Sequence, residues 1–98
     1  AAIDAVLRAG KIGQIYNIGA GNERSNLELT EILIELCDRD DSAIERVADR
    51  PGHDFRYSVD SSLVLALGWK PTIDLRSGLE ATVHWYRDNE NWWRPKKT

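Results

Sequence analysis

Six consecutive residues, Asp49-Arg50-Pro51-Gly52-His53-Asp54, hold the densest set of chemically able groups in the chain. Pro51 biases Arg50 towards an extended backbone, and Pro-Gly suits the two central positions of a type II turn. Such a turn presents Arg50 and His53 from one small loop, with Arg56 following shortly after. A guanidinium fork matches phosphate oxygens in pairs, and an imidazole can donate to a phosphate or a sugar hydroxyl. Asp49 and Asp54 are placed to orient both groups. An ordinary Pro-Gly surface turn with ion pairs would use the same residues, and the residues alone leave both readings open.

Other patterns carry less. Gly19-x-Gly21 invites a dinucleotide-binding reading, but Arg24 stands where that fingerprint needs a third glycine, so a tight turn is the better account. The helix start that follows favours anions through its free amides, and Asn26 lies in its first turn as a donor and acceptor or as a plain exposed polar residue. His53 and His84 lie far apart in sequence, with no cysteine or carboxylate completing a metal-ligand spacing and no Gly-x-Ser-x-Gly pattern beside them. No metal is expected. Trp85, Tyr86, Trp92 and Trp93 crowd the end of the chain and read better as a core or seam than as a base-stacking platform.

Positioning these groups requires a frame of short elements. Ile3, Val6 and Leu7 predict one face of a helix ended by Gly10, beginning without a side-chain cap as though cut. Gln14 to Ile18 reads as a strand. Ser25 and Glu28 have capping-box spacing, and Leu29, Ile32, Leu33, Leu36 and Cys37 follow as an apolar stripe. Ile44 to Ala48 is a second candidate strand, and Phe55, Tyr57 and Val59 alternate as a third. Asp60 is placed to cap a helix over 61–67, ended by Gly68, and a last helix is predicted from about Leu75 to Asn89 with Leu75, Leu79, Val83 and Tyr86 inward. The expected class is therefore a small mixed α/β piece.

Ninety-eight residues with 42% hydrophobic and 30% charged side chains make a single globular domain, not a disordered tail. A two-domain enzyme with its own nucleotide cofactor does not fit this length. The net charge of −3 argues against nucleic acid, and no apolar run approaches the roughly 18 residues of a membrane span. One cysteine, Cys37, cannot form an internal disulfide and falls in the apolar stripe, and the start lacks a signal-peptide pattern. A cytoplasmic setting is expected.

Three blocks of residues then converge. Tyr16-Asn17-Ile18-Gly19 with Asn22-Glu23 and Asn26-Leu27-Glu28 is the first. Asp49 to Asp54 with Arg56-Tyr57 and Asp60 is the second, and Leu67-Gly68-Trp69-Lys70-Pro71, Gly78-Leu79 and Thr82-Val83-x-Trp85-Tyr86 the third. In this order they resemble the C-terminal part of the dTDP-glucose 4,6-dehydratase family, extended short-chain dehydrogenases/reductases. The Asp-Arg-Pro-Gly-His-Asp loop favours that family over related sugar-nucleotide epimerases and decarboxylases.

The resemblance implies a parent that binds NAD, oxidises a nucleotide-linked glucose at carbon 4, eliminates water across carbons 5 and 6 and returns the hydride to carbon 6. The product serves rhamnose and other deoxysugar biosynthesis. It implies that residues 1–98 form a single C-terminal substrate-binding domain, with 1–20 as the last helix–strand piece of an absent N-terminal Rossmann domain, and that the parent is a homodimer. By matching positions it makes Asn26, Asp49, Arg50, Pro51, Gly52 and His53 the substrate-binding residues, with Arg50 suited to the diphosphate and His53 to phosphate or ribose. The family's glycine fingerprint and catalytic Tyr-x-x-x-Lys are absent: four residues after Tyr16, Tyr57 and Tyr86 stand Ala20, Ser61 and Glu90. The chain alone is therefore expected to bind no NAD and to turn nothing over. A stand-alone interaction module docking through its aromatic end, and the same part of an enzyme for another sugar nucleotide such as a UDP-sugar, remain the alternatives.

Overall fold

The chain's helical signals yield α1 (Ala2–Ala9), α2 (Asn26–Leu36), α3 (Ser62–Ala66), α4 (Leu75–Asp88) and α5 (Glu90–Trp93) in a computed structural model that describes residues 1–97. Two single 3-10 turns, Asp41–Ala43 and Arg94–Lys96, accompany them. The fold divides into two units, each built from two pieces of chain. One takes Ala1–Glu23 and Asp49–Thr72, the other Arg24–Ala48 and Ile73–Thr98.

In the first unit α1 packs against α3. Ala2 and Val64 are buried there, and Ala5 and Val6 half-buried. Spacings of three and four put Ala2, Ala5 and Val6 on one side of α1. Ile3 and Leu7, expected inward, are instead 77% and 83% exposed, because they occupy the neighbouring side of the helix. Gly10 ends α1 as expected, but with an extended backbone (φ −69°, ψ 147°) rather than a left-handed one. It stops the helix by close approach, since a Cβ there would collide with the Val6 carbonyl oxygen. The N-cap of α3 is Ser61 rather than the expected Asp60, because the helix starts at Ser62; Asp60, one residue earlier, still accepts from the Ser62 amide at 2.8 Å, and Gly68 follows the helix at φ +89°.

In the second unit the capping box of α2 is complete. Ser25 Oγ accepts from the Glu28 amide at 3.2 Å, and the Glu28 carboxylate accepts from the Ser25 amide at 2.7 Å. Leu29, Ile32, Leu33, Leu36 and Cys37 are all half-buried, as is Leu79 on α4, where Val83 is buried. Arg76 donates twice to the Glu35 carboxylate (3.1 and 2.7 Å), and Arg87 donates to the Leu36 carbonyl at 3.2 Å, so α2 and α4 are also tied by directional bonds. The start of α4 is capped by Asp74, which accepts from both the amide and the hydroxyl of Ser77. Tyr86, expected inward, is half exposed. Its ring meets Trp85 and Trp93 edge-on, and the Trp93 indole donates to the Tyr86 carbonyl at 2.6 Å.

The three expected strands do not form. No strand occurs among the described residues, and Ile15, Val47, Phe55 and Tyr57 are each more than 70% exposed. A strand exists only where a neighbour completes its hydrogen-bond ladder, and these segments have none within this chain. The mixed α/β expectation gives way here to helices joined by irregular connections.

Candidate functional site

The Asp49–Asp54 segment folds as its Pro-Gly pair dictates. The His53 amide donates to the Arg50 carbonyl at 3.2 Å, and Gly52 takes φ +70°, the left-handed value required at the third position of a type II turn. Asp49 Oδ1 accepts from the Arg50 amide at 3.0 Å and fixes the entry to the turn. The turn thereby brings Arg50 and His53 together, as expected, with Arg50 Nε donating to His53 Nδ1 at 3.1 Å.

That contact assigns the imidazole. In a neutral ring that accepts at Nδ1, Nε2 is the donor. Asp49 Oδ1 lies 3.6 Å from the same Nδ1. The two contacts are alternatives: Arg50 needs a bare Nδ1, whereas an ion pair with Asp49 needs a protonated one. Four other arginines, Arg8, Arg56, Arg76 and Arg94, are paired with carboxylates. Among the described residues Arg50 makes no such pair, and its side-chain partner is a neutral ring. Its charge is therefore not neutralised by the protein, which is what an anion-binding guanidinium requires.

Two neighbours have other work. Asp54, read as a possible orienter of Arg50 and His53, instead accepts from the Tyr57 hydroxyl at 2.9 Å. Arg56 does not join Arg50. Its Nε and Nη2 both donate to the Glu23 carboxylate, the latter at 2.8 Å. This fork holds the Glu23 carboxyl below the usual range and raises the Arg56 guanidinium. No local pattern signals this pair, because its members lie 33 positions apart and no periodicity connects them. Asn26 belongs to the other unit, as the first residue of α2. It is exposed, and its carbonyl accepts from the Thr30 hydroxyl at 2.7 Å.

The residues after Gly19 do not suit a dinucleotide. Gly21 makes the turn with φ +69°, and the capping box already engages the amides of Ser25 and Glu28. A pyrophosphate would have to displace those internal contacts, and Arg24 occupies the third-glycine position. No group of three or more His, Cys, Asp or Glu side chains converges to hold a metal among the described residues. A shallow hollow in the second unit is lined by Asp38, Arg39, Asp40, Ser42 and Ala43. No helix among the described residues is long and apolar enough to cross a membrane.

Known proteins resemble this chain over nearly all its length. A dTDP-glucose 4,6-dehydratase of Streptomyces niveus is 46% identical over 98 residues, covering 99% of this chain and 29% of the relative. One from Actinoplanes is 51% identical over 88 residues, covering 89% of this chain and 28% of the relative. A crystal structure of the dTDP-glucose 4,6-dehydratase of Bacillus anthracis in complex with NAD superposes with a TM-score of 0.90 at 42% identity, covering 98% of this chain and 30% of that one. No known family profile matches the chain. The chain thus spans about three tenths of the length of the curated relatives it matches.

Proposed function

We propose that this chain is the C-terminal, sugar-nucleotide-binding part of a dTDP-glucose 4,6-dehydratase. The intact enzyme converts dTDP-glucose to dTDP-4-keto-6-deoxyglucose with NAD held by a separate Rossmann domain, and acts as a homodimer in the cytoplasm. Residues 1–98 serve as its substrate domain, with 1–20 belonging to the edge of the cofactor domain. There the remainder of the enzyme supplies the strand partners that Gln14–Ile18 lacks, restoring the mixed α/β class. The likeness to dehydratases of several genera, and to one solved with NAD, supports this reading.

The observation that carries the binding role is the turn itself: it sets an arginine without a carboxylate partner against an imidazole whose Nε2 proton is free to donate. In this reading Arg50 engages the diphosphate and His53 donates to a phosphate oxygen or a ribose hydroxyl. Asp49, Pro51 and Gly52 shape the turn. Asn26, carried by the other unit, is a second candidate contact, and its role stands or falls separately. Catalysis is assigned to the remainder of the enzyme, because proton and hydride transfer need groups that this chain does not bring together.

Titrating dTDP into the chain while following backbone and imidazole resonances tests the binding role. Saturable shifts at Arg50, Gly52 and His53 are expected, abolished in Arg50→Ala. Shifts confined to Trp92 and its neighbours on adding another protein, with none at His53, would overturn it in favour of an interaction module. Incubation with NAD and dTDP-glucose is expected to yield no 4-keto product, and any turnover contradicts the division of labour. Comparing UDP with dTDP in the same titration decides the base.

A further inference from the structure

We infer that Glu23 and Arg56 are positioning residues, a strut that sets the Asp49–His53 turn in place on its unit. This rests on the binding role proposed for that turn. Residues 45–60 are all exposed, so burial does not hold this stretch, and no helix or strand runs through it. Directional polar contacts must do so instead. From the turn outward, His53 to Arg50 closes the turn, Tyr57 to Asp54 closes the next four residues, and Arg56 to Glu23 reaches back 33 positions. The first two are local and would form equally well on a loop floating free. The third ties the segment to the 19–23 stretch of its unit, where Glu23 also takes a hydrogen bond from Ser58.

A second point of approach lies beside it. A Cβ on Gly19 would come within 2.8 Å of Val59 Cγ2 and 3.3 Å of Ser61 Oγ, so the 19–23 backbone lies hard against the chain that leaves the turn. A forked arginine–carboxylate pair fixes direction as well as distance, which one ammonium contact does not. Arg56 follows shortly after the turn, where a guanidinium could serve a phosphate, and the fork assigns it a different task. The two roles predict opposite signs. If Arg56 bound phosphate directly, removing the charge of Glu23 would release it and strengthen binding. If the pair is a strut, the same change loosens the turn and weakens binding.

The test uses Glu23→Gln, Arg56→Lys and the swap Glu23→Arg/Arg56→Glu in the full 98-residue chain, with dTDP as probe. Without ligand, backbone order parameters at Gly52 and His53 are expected to fall from near 0.85 towards about 0.6 in Glu23→Gln, and to recover in the swap. With dTDP, affinity falls about three- to tenfold in Glu23→Gln, as when the competent arrangement drops to between a third and a tenth of the population. It falls less in Arg56→Lys and returns in the swap. Helical amides of α1 and α3 serve as the control for folding. Unchanged order parameters in both single variants overturn the strut, and so does tighter dTDP binding by Glu23→Gln. If the parent chain takes up no dTDP, the substrate reading fails by itself, while the ligand-free order parameters still decide the strut.

Discussion

The two units are stabilised in different ways. The second has two helices of eleven and fourteen residues, each with a side-chain cap, a shared apolar stripe, and directional bonds between them. The first has helices of eight and five residues, buries Ala2 and Val64, and leaves Ile3, Leu7, Ile12, Ile15, Phe55 and Tyr57 largely exposed. Yet the first unit carries the turn with the arginine and histidine. Its apolar surface is what a covering partner would bury, and in the proposed parent that partner is the cofactor domain. The unit with the chemistry is the unit least able to hold itself.

Placing a charge in its small core tests this most severely. Val64 has no exposed surface, so Val64→Asp buries a carboxylate without a partner and is expected to cost on the order of 3 kcal/mol. Amide protection should vanish from α1 and α3, and with it any dTDP-induced shift at His53, while α2 and α4 stay protected. Equal loss across both units would mean that they fold as one body energetically, and the contrast between them would disappear.

Acid bears on both units, on Glu23 and Asp60 in the first and on the helix caps in the second. Hydrogen bonds from the Ser25 amide and hydroxyl hold the Glu28 carboxyl below its usual range, and those of Ser77 do the same for Asp74. A carboxyl whose folded pKa is depressed adds stability that is complete above its unfolded pKa and is lost as pH falls through the folded value. The starts of α2 and α4 should therefore fray together below the ordinary carboxylate range. Amide exchange measured down a pH series is expected to show this loss at Glu28 and Ser77 before the middle of either helix. Ser25→Ala removes one cap at neutral pH, with an expected cost of about 1 kcal/mol, and should flatten the acid response of α2 while leaving that of α4.

Legibility in the sequence followed the range of the interactions. Ser25 with Glu28, Asp60 with Ser62, and Arg50 with His53 act within three residues, and type and spacing were enough to read all three. Asp74 capping Ser77 has the same range, and an Asp three residues before a serine at a helix start is a signal of the same kind. The strands are not legible for a physical reason: the alternation of Phe55, Tyr57 and Val59 is a side-chain pattern, whereas a strand also needs a neighbour's hydrogen-bond ladder, and none forms among the described residues. Glu23 with Arg56 and Glu35 with Arg76 join residues 33 and 41 positions apart. Nothing in a single sequence pairs them.

Those two long-range pairs make the smallest and sharpest comparison. Both are forked, both are exposed, and in both the carboxyl is held below its usual range by its arginine. Exposed pairs contribute little to global stability, so neither Glu23→Gln nor Glu35→Gln should move the melting midpoint much. Their local effects should nevertheless differ. Around Glu35 the helices are already fixed by caps, by Val83 and the stripe of α2, and by the Arg87 bond to Leu36, so Glu35→Gln removes one tie among several. Around Glu23 the turn has no buried residue, and its support is polar: the Arg56 fork, the Ser58 bond to the same carboxylate, and the approach at Gly19. Order parameters should stay unchanged along α2 and α4 in Glu35→Gln and drop at Gly52 and His53 in Glu23→Gln. The same chemical change in the same kind of pair is thus expected to be silent where packing is redundant, and felt where a polar contact is the main support.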